Sequence, residues 1–170
     1  MVMVKLRRIF KHRWHDERSA ARLLNDAALD RLEAQVSHSE KRHSGEIRLC
    51  VEAGLPLSYL WRDATARERA VAMFGKLRVW DTEHNNGVLI YLLLAEHAIE
   101  IVADRGLARL VPQSHWDRVL GDMRQAFARG QFEQGLAQAV QAVDAELLQH
   151  FAQAPEQRNP DELPNRAHRG

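Results

Sequence analysis

The chain reads as an α/β protein, a three-layer α/β/α sandwich around a small mixed sheet. Three observations predict it. Val88–Leu94 (VLIYLLL) is continuously apolar, as in a central strand buried on both faces. A helical pattern separates this run from an earlier strand-like stretch, and a right-handed crossover of that kind makes the two strands parallel. Only Ala95-Glu96 separates it from a later strand-like stretch, short enough for a two-residue hairpin turn.

Residues 1–18 are basic, with Lys5, Arg7, Arg8, Lys11, Arg13 and Arg18 opposing only Asp16 and Glu17. Met3, Leu6, Phe10 and Trp14 recur at spacings of three and four, which lines them on one helical face. Such a helix either packs on the domain, with its basic residues solvated, or lies on anionic lipid. A second helix is expected over Ser19–Val36, striped by Ala20, Leu24, Ala27, Ala28 and Leu32. Ser37–Ser44 with Gly45 is a loop by composition. Glu46–Ala53 alternates, Ile47, Leu49 and Val51 on one side, and reads as a half-buried strand.

Gly54 and Pro56 end that pattern. Thr65-x-x-Glu68 has the form of a capping box and opens a helix with Ala66, Ala70, Met73, Phe74 and Leu77 on one face. Asp81–Gly87 is a polar loop, followed by the central strand, the turn and a returning strand over His97–Ala103. Ser114-x-x-Asp117 opens a helix carrying Trp116, Val119, Leu120, Met123 and Phe127, and Gly130 closes it. Phe132, Leu136, Val140, Val143, Leu147 and Phe151 form the cleanest helical stripe in the chain. From Pro155 the sequence turns polar and Pro-rich. The expected division is a basic helix over 1–18, a domain over 19–152 and a polar tail over 153–170. A further short strand has room in Leu55–Leu60 or Leu107–Val111.

The composition narrows the function classes. The 170 residues make about one domain, 45% hydrophobic and 28% charged, which excludes a disordered or collagenous chain. A formal net charge of +1 argues against a dedicated nucleic-acid binder. Cys50 is the lone cysteine, so no disulfide forms within the chain and a reducing compartment fits. The longest apolar stretch, Val88–Ala95, falls far below the roughly 20 residues of a membrane-spanning helix. Charge at Lys5, Arg7 and Arg8 interrupts any apolar leader core. A cytoplasmic protein is expected, with peripheral membrane contact through residues 1–18 as an option. No phosphate loop or G-x-G-x-x-G follows a strand, so no nucleotide cofactor is expected. No nucleophile elbow or H-E-x-x-H is present, and no catalytic residue is assigned.

The topology itself predicts a site. Parallel first and second strands start at one edge of the sheet, and the hairpin returns the third strand to that edge. If Leu94 faces His97, Gly87 faces Asp104. Glu46, the loop Asp81–Asn86 and the pair Asp104-Arg105 then converge. Glu46, Asp81, Glu83, Asn85, Asn86 and Asp104 supply only oxygen donors, the set that hard cations such as calcium or magnesium take. His84 and Arg105 are the candidates for holding a phosphate. A plainer reading of the same residues stays open: Asp81 and Asn86 shape a turn, Gly87 gives backbone freedom, and Asp104-Arg105 is a surface ion pair.

Asn85-Asn86-Gly87-Val88-Leu89-Ile90-Tyr91-Leu92 followed by Ile99-Glu100-Ile101-Val102-Ala103-Asp104-Arg105-Gly106 resembles the TPM domain, also called the TPM phosphatase family. Gly45-Glu46-Ile47, the stretch Trp80 to Asn86 and Phe127-x-x-Gly130-x-Phe132-x-x-Gly135-Leu136 fit it too, over about residues 40–150. Asp161-Glu162-Leu163-Pro164-Asn165 looks like a short cytosolic bacterial branch. The resemblance implies an α/β/α sandwich, calcium binding in some members and weak acid phosphatase activity in others. It carries over to Glu46, Asn86, Gly87 and Asp104–Gly106. The reading taken here is a non-catalytic domain that binds calcium or magnesium and serves a protein partner. A metal-assisted phosphatase and a membrane-docked protein are the alternatives.

Overall fold

The computed structural model describes residues 7–12, 21–154 and 161–170, with the side chain of residue 122 left aside. Four strands form one sheet: β1 (Ile47–Glu52), β2 (Val88–Leu93), β3 (Ala98–Ala103) and β4 (His168–Arg169), in the spatial order β3-β2-β1-β4. β1 and β2 are parallel, and β2 and β3 are antiparallel. Besides helical stretches at residues 7–12 and 21–23, the helices are α1 (Asp26–Ser39), α2 (Leu57–Trp61), α3 (Ala66–Lys76), α4 (Arg105–Ala108), α5 (Gln113–Ala128) and α6 (Phe132–Phe151).

The strands' period of two sorts the core into two halves. Ile47, Leu49, Val51, Val88, Ile90 and Leu92 pack with α1, α5 and α6 around Trp116, Phe127 and Phe132. Cys50, Leu89, Tyr91 and Leu93 pack on the other face with α2 and α3, through Leu60, Ala70 and Met73. The result is the α/β/α sandwich that the apolar runs predict. The turn after β2 is a 3-10 turn, Leu94–Glu96, with His97 at φ 50°. The pairing of Val88 with Ala103 still places Gly87 opposite Asp104, whose N–H donates to the Gly87 carbonyl at 2.8 Å.

Several expectations change. The helix expected over Ser19–Val36 is interrupted: residues 21–23 are helical, the pattern breaks at 24–25, and a new helix starts at Asp26, where the Asn25 side chain accepts from Ala28 N–H and caps it. It runs on to Ser39, into the stretch read as loop. β1 is buried along all six residues, not on one face. Its charged side is covered because Glu52 meets Arg69 and Tyr91, and Arg48 meets the carbonyls of the C-terminal segment. The Thr65–Glu68 capping box forms as read. Ser114 caps nothing: α5 starts after Pro112, whose fixed φ suits that position. Leu55–Leu60 and Leu107–Val111 hold no strand. They contribute to α2 and α4 and the turns beside them. The extra strand is β4, two residues of the polar C-terminal stretch pairing with Cys50 and Val51.

Residues 7–12 are helical, while Met3, Leu6 and Trp14 lie outside the described residues. Phe10, expected on the packed face, is 66% exposed, and Ile9 packs inward instead. Polar contacts set this rotation. Arg8 donates to Glu96 Oε1 at 2.8 Å, and so does His12 Nε2 at 2.9 Å, while His12 Nδ1 accepts from Leu55 N–H at 2.9 Å. First the His12 hydrogen bond and then Arg8 hold the Glu96 carboxyl down at about 2. A depressed carboxylate stabilises above its ordinary value of 4.5, and that contribution is lost as pH falls through the folded value. Residues 7–12 are therefore expected to detach between about pH 4.5 and 2, with a loss on the order of 2 kcal/mol. Amide exchange at Leu55 reads it. Equal acid sensitivity in Glu96→Gln would refute it.

Candidate functional site

The three segments expected at one rim do meet there. Val88 N–H donates to the Glu46 carbonyl, Asp104 N–H to the Gly87 carbonyl and Gly106 N–H to the Asn85 carbonyl, each at 2.8 Å. Asn85 takes the left-handed φ of 51° that lets its carbonyl reach Gly106. Gly87 and Gly106 are needed for contact: a Cβ on either would stand 2.0 Å from the Val79 carbonyl oxygen or 2.4 Å from that of Asn85.

The side chains spread over that rim in different ways. Asp104 is buried, and its Oδ1 accepts from Arg105 N–H at 2.7 Å as the cap of α4. Its Oδ2 is buried without a hydrogen-bond partner. Asn86 is wholly buried: its N–H donates to Thr82 Oγ1, its Nδ2 donates to Ser44 Oγ at 3.1 Å, and its Oδ1 has no donor. Asp81, Glu83 and His84 are exposed. Arg105 donates to Asn85 Oδ1 at 2.8 Å. Of the expected carboxylates, only Glu46 has two others close by, and both are residues that sequence reasoning missed.

Those two are Glu40 and Asp161. One carboxylate oxygen from each of Glu40, Glu46 and Asp161 lies within 4.8 Å of the others, the one such grouping of acidic, His or Cys side chains among the described residues. Each comes from a different element. Glu40 follows the last turn of α1, Glu46 precedes β1, and Asp161 belongs to the C-terminal segment. Glu40 Oε1 accepts from Ile47 N–H at 2.9 Å, and Glu46 Oε2 accepts from Leu163 N–H at 3.3 Å. Burial raises Glu40 to about 8 and Glu46 to about 7, and the neighbouring acids push the same way. Close buried carboxylates need protons or a cation to offset their repulsion. The three donors are all hard oxygens. That set suits calcium or magnesium and is too hard for a thiophilic metal.

A second polar cluster also escaped the sequence reading. Ser39 Oγ donates to Asp144 Oδ1 at 2.7 Å and lies 2.8 Å from His43 Nε2. The residue types match a hydrolase triad, but the arrangement does not. The acid accepts the hydroxyl's hydrogen bond itself, and Ser39 and His43 are sealed from solvent. The cluster pins the end of α1 to α6.

In comparison with known families, residues 18–146 match the TPM domain. The match covers most of the chain, over the elements that build the rim. This chain belongs to the TPM domain family. Two solved structures share the TPM-type fold. One is BA42 from the psychrophilic bacterium Bizionia argentinensis, with 27% identity and a TM-score of 0.73, over 86% of this chain and 95% of that one. The other is the N-terminal domain of a protein from P. gingivalis, with 22% identity and a TM-score of 0.61, over 78% and 83%. No curated protein matches. The match ends at residue 146, so Asp161 and β4 lie beyond the matched residues. Among the described residues of this TPM chain, no helix is long and apolar enough to cross a membrane.

Proposed function

We propose that this TPM chain is a non-catalytic, divalent-cation-binding accessory domain that acts on a protein partner. Calcium or magnesium is held by Glu40, Glu46 and Asp161. The observation that carries this reading is the convergence of three carboxylates from three separate elements, two of them buried. A bound dication offsets the mutual repulsion of close carboxylates. The phosphatase alternative gains no such support. Its phosphate holders, His84 and Arg105, are exposed, and Arg105 is engaged by Asn85.

Titration with calcium chloride or magnesium chloride tests the reading through backbone amide shifts. Shifts are expected at Glu40, at residues 44–47 and at residues 161–165. Glu46→Gln, which keeps size and loses charge, is expected to weaken binding more than tenfold. A flat titration of the wild-type chain with both salts overturns the proposal.

A further inference from the structure

Residues 7–12 turn a polar side toward the rest of the protein. Arg8 reaches Glu96 and, through Nη2, the Ala64 carbonyl at 2.7 Å, while the His12 ring closes on Leu55. Ile9 is their apolar contact with the core half that holds Leu55 and Leu60. Phe10 lies two residues from both polar anchors, on the opposite side of the helix, and is 66% exposed. In sequence it shares a helical stripe with Met3, Leu6 and Trp14. Packing on the domain therefore leaves that stripe unexplained at Phe10.

The adjoining segment does the same. α2 sends Leu60 into that half of the core and bares Leu57 and Trp61, one turn apart, at 56% and 80% exposed. Arg8 ties the two segments together through Asp63 and Ala64, just past Trp61. Tryptophan is highly buried on average, and large apolar side chains bared on adjoining segments mark a contact surface. Charge identifies what it meets. Of the chain's 24 basic and 23 acidic residues, residues 1–18 hold six and two. That stretch is +4 and the remainder −3. Arg7 and Lys11 flank Phe10, and Arg62 follows Trp61. The acids of the rim lie at the other end of the sheet: Gly54 and Glu96 follow β1 and β2, whereas Glu46 and Asp81 precede them. Aromatic rings beside cations, with acids held away, fit the headgroup layer of an anionic bilayer.

We propose that Phe10, Leu57 and Trp61, framed by Arg7, Lys11 and Arg62, dock the protein peripherally on an anionic lipid surface. This stands independently of the cation centre. The bonds of Arg8 and His12 to Glu96 hold residues 7–12 with Phe10 outward, so the docking face is formed before lipid is met. Two attractions add. Burial of the rings is insensitive to salt, and the basic charge is screened by it. Docked in this way, the rim at the start of the strands looks away from the lipid.

Cosedimentation of the full chain with lipid vesicles tests it. Vesicles of mixed phosphatidylglycerol and phosphatidylcholine are compared with phosphatidylcholine alone, with EDTA present so that no dication bridges protein and lipid. Binding to the mixed vesicles is expected at about 0.1 M salt, and at least tenfold weaker binding at about 0.5 M salt or on phosphatidylcholine alone. Trp61→Ala and Phe10→Ala are each expected to weaken it about fivefold or more while leaving thermal unfolding unchanged, since both side chains are exposed. Trp80→Ala is the control: Trp80 is 51% exposed but follows Val79, which meets Gly87 at the rim end, so its loss is expected to leave binding unchanged. No binding to the mixed vesicles overturns the proposal. Binding that survives both Trp61→Ala and Phe10→Ala overturns the assigned face, and equal losses in all three variants mean indiscriminate adhesion. A dimer in sedimentation velocity that Trp61→Ala dissociates, without vesicle binding, assigns the face to a second copy instead.

Discussion

Glu52→Ala is expected to destabilise the fold by about 3–5 kcal/mol, the cost of removing one partner from a buried ion pair. Glu52 is 3% exposed at the end of β1. Its Oε2 accepts from Tyr91 Oη at 2.7 Å and from Arg69 Nε at 2.8 Å. Arg69 lies on α3 and is mostly shielded from water. Hydrogen bonding to Glu52 raises the Arg69 guanidinium further, and burial pushes the Tyr91 phenol up. With alanine at 52, a charged guanidinium and a phenol are left in the α3 half of the core without an acceptor. Urea denaturation measures the loss. The double variant Glu52→Leu with Arg69→Met, which removes both charges, is expected to recover most of it. A loss under about 1 kcal/mol for Glu52→Ala would mean that Arg69 finds water instead.

Gly87→Ala is expected to cost about 3 kcal/mol, at the upper end for overpacking. The added Cβ would stand 2.0 Å from the Val79 carbonyl oxygen, and backbone cannot swing aside as a long side chain can. The damage is expected at the rim, because Gly87 also accepts from Asp104 N–H and sits beside Asn86. Amide shifts at Asp104 and Val88 should move along with the stability. Gly121→Ala is the control. Nothing lies within 4 Å of its added Cβ in the interior of α5, so a gain of up to about 1 kcal/mol is expected from helix propensity. Similar losses in both variants would rule out the steric argument.

The frame of the molecule was legible because its signals are local. Val88–Leu93 is apolar throughout and lies at the centre of the sheet. The short link after it set the β2–β3 register, and with it the meeting of Gly87 and Asp104. Phe132–Phe151 matches its stripe end to end. What stayed hidden depends on partners far apart in sequence. Arg48 and Glu52 read as the wet side of a strand because charge is normally solvated. Their burial needs Arg69, Tyr91 and carbonyls up to 118 residues away. Glu40 sat in a polar stretch that reads as loop, and Asp161 in one that reads as tail. Only the parallel docking of β4 brings them together, and a two-residue strand leaves no periodicity to find.

That two-residue strand has a consequence for solubility. β1 is apolar on one side, and a sheet edge of this kind recruits strands from other molecules when bare. The C-terminal residues guard it, with Arg48 tethering the guard by its carbonyls. Cleavage ahead of Asp161 would leave a folded domain with an adhesive flank, prone to stack edge to edge as its concentration rises.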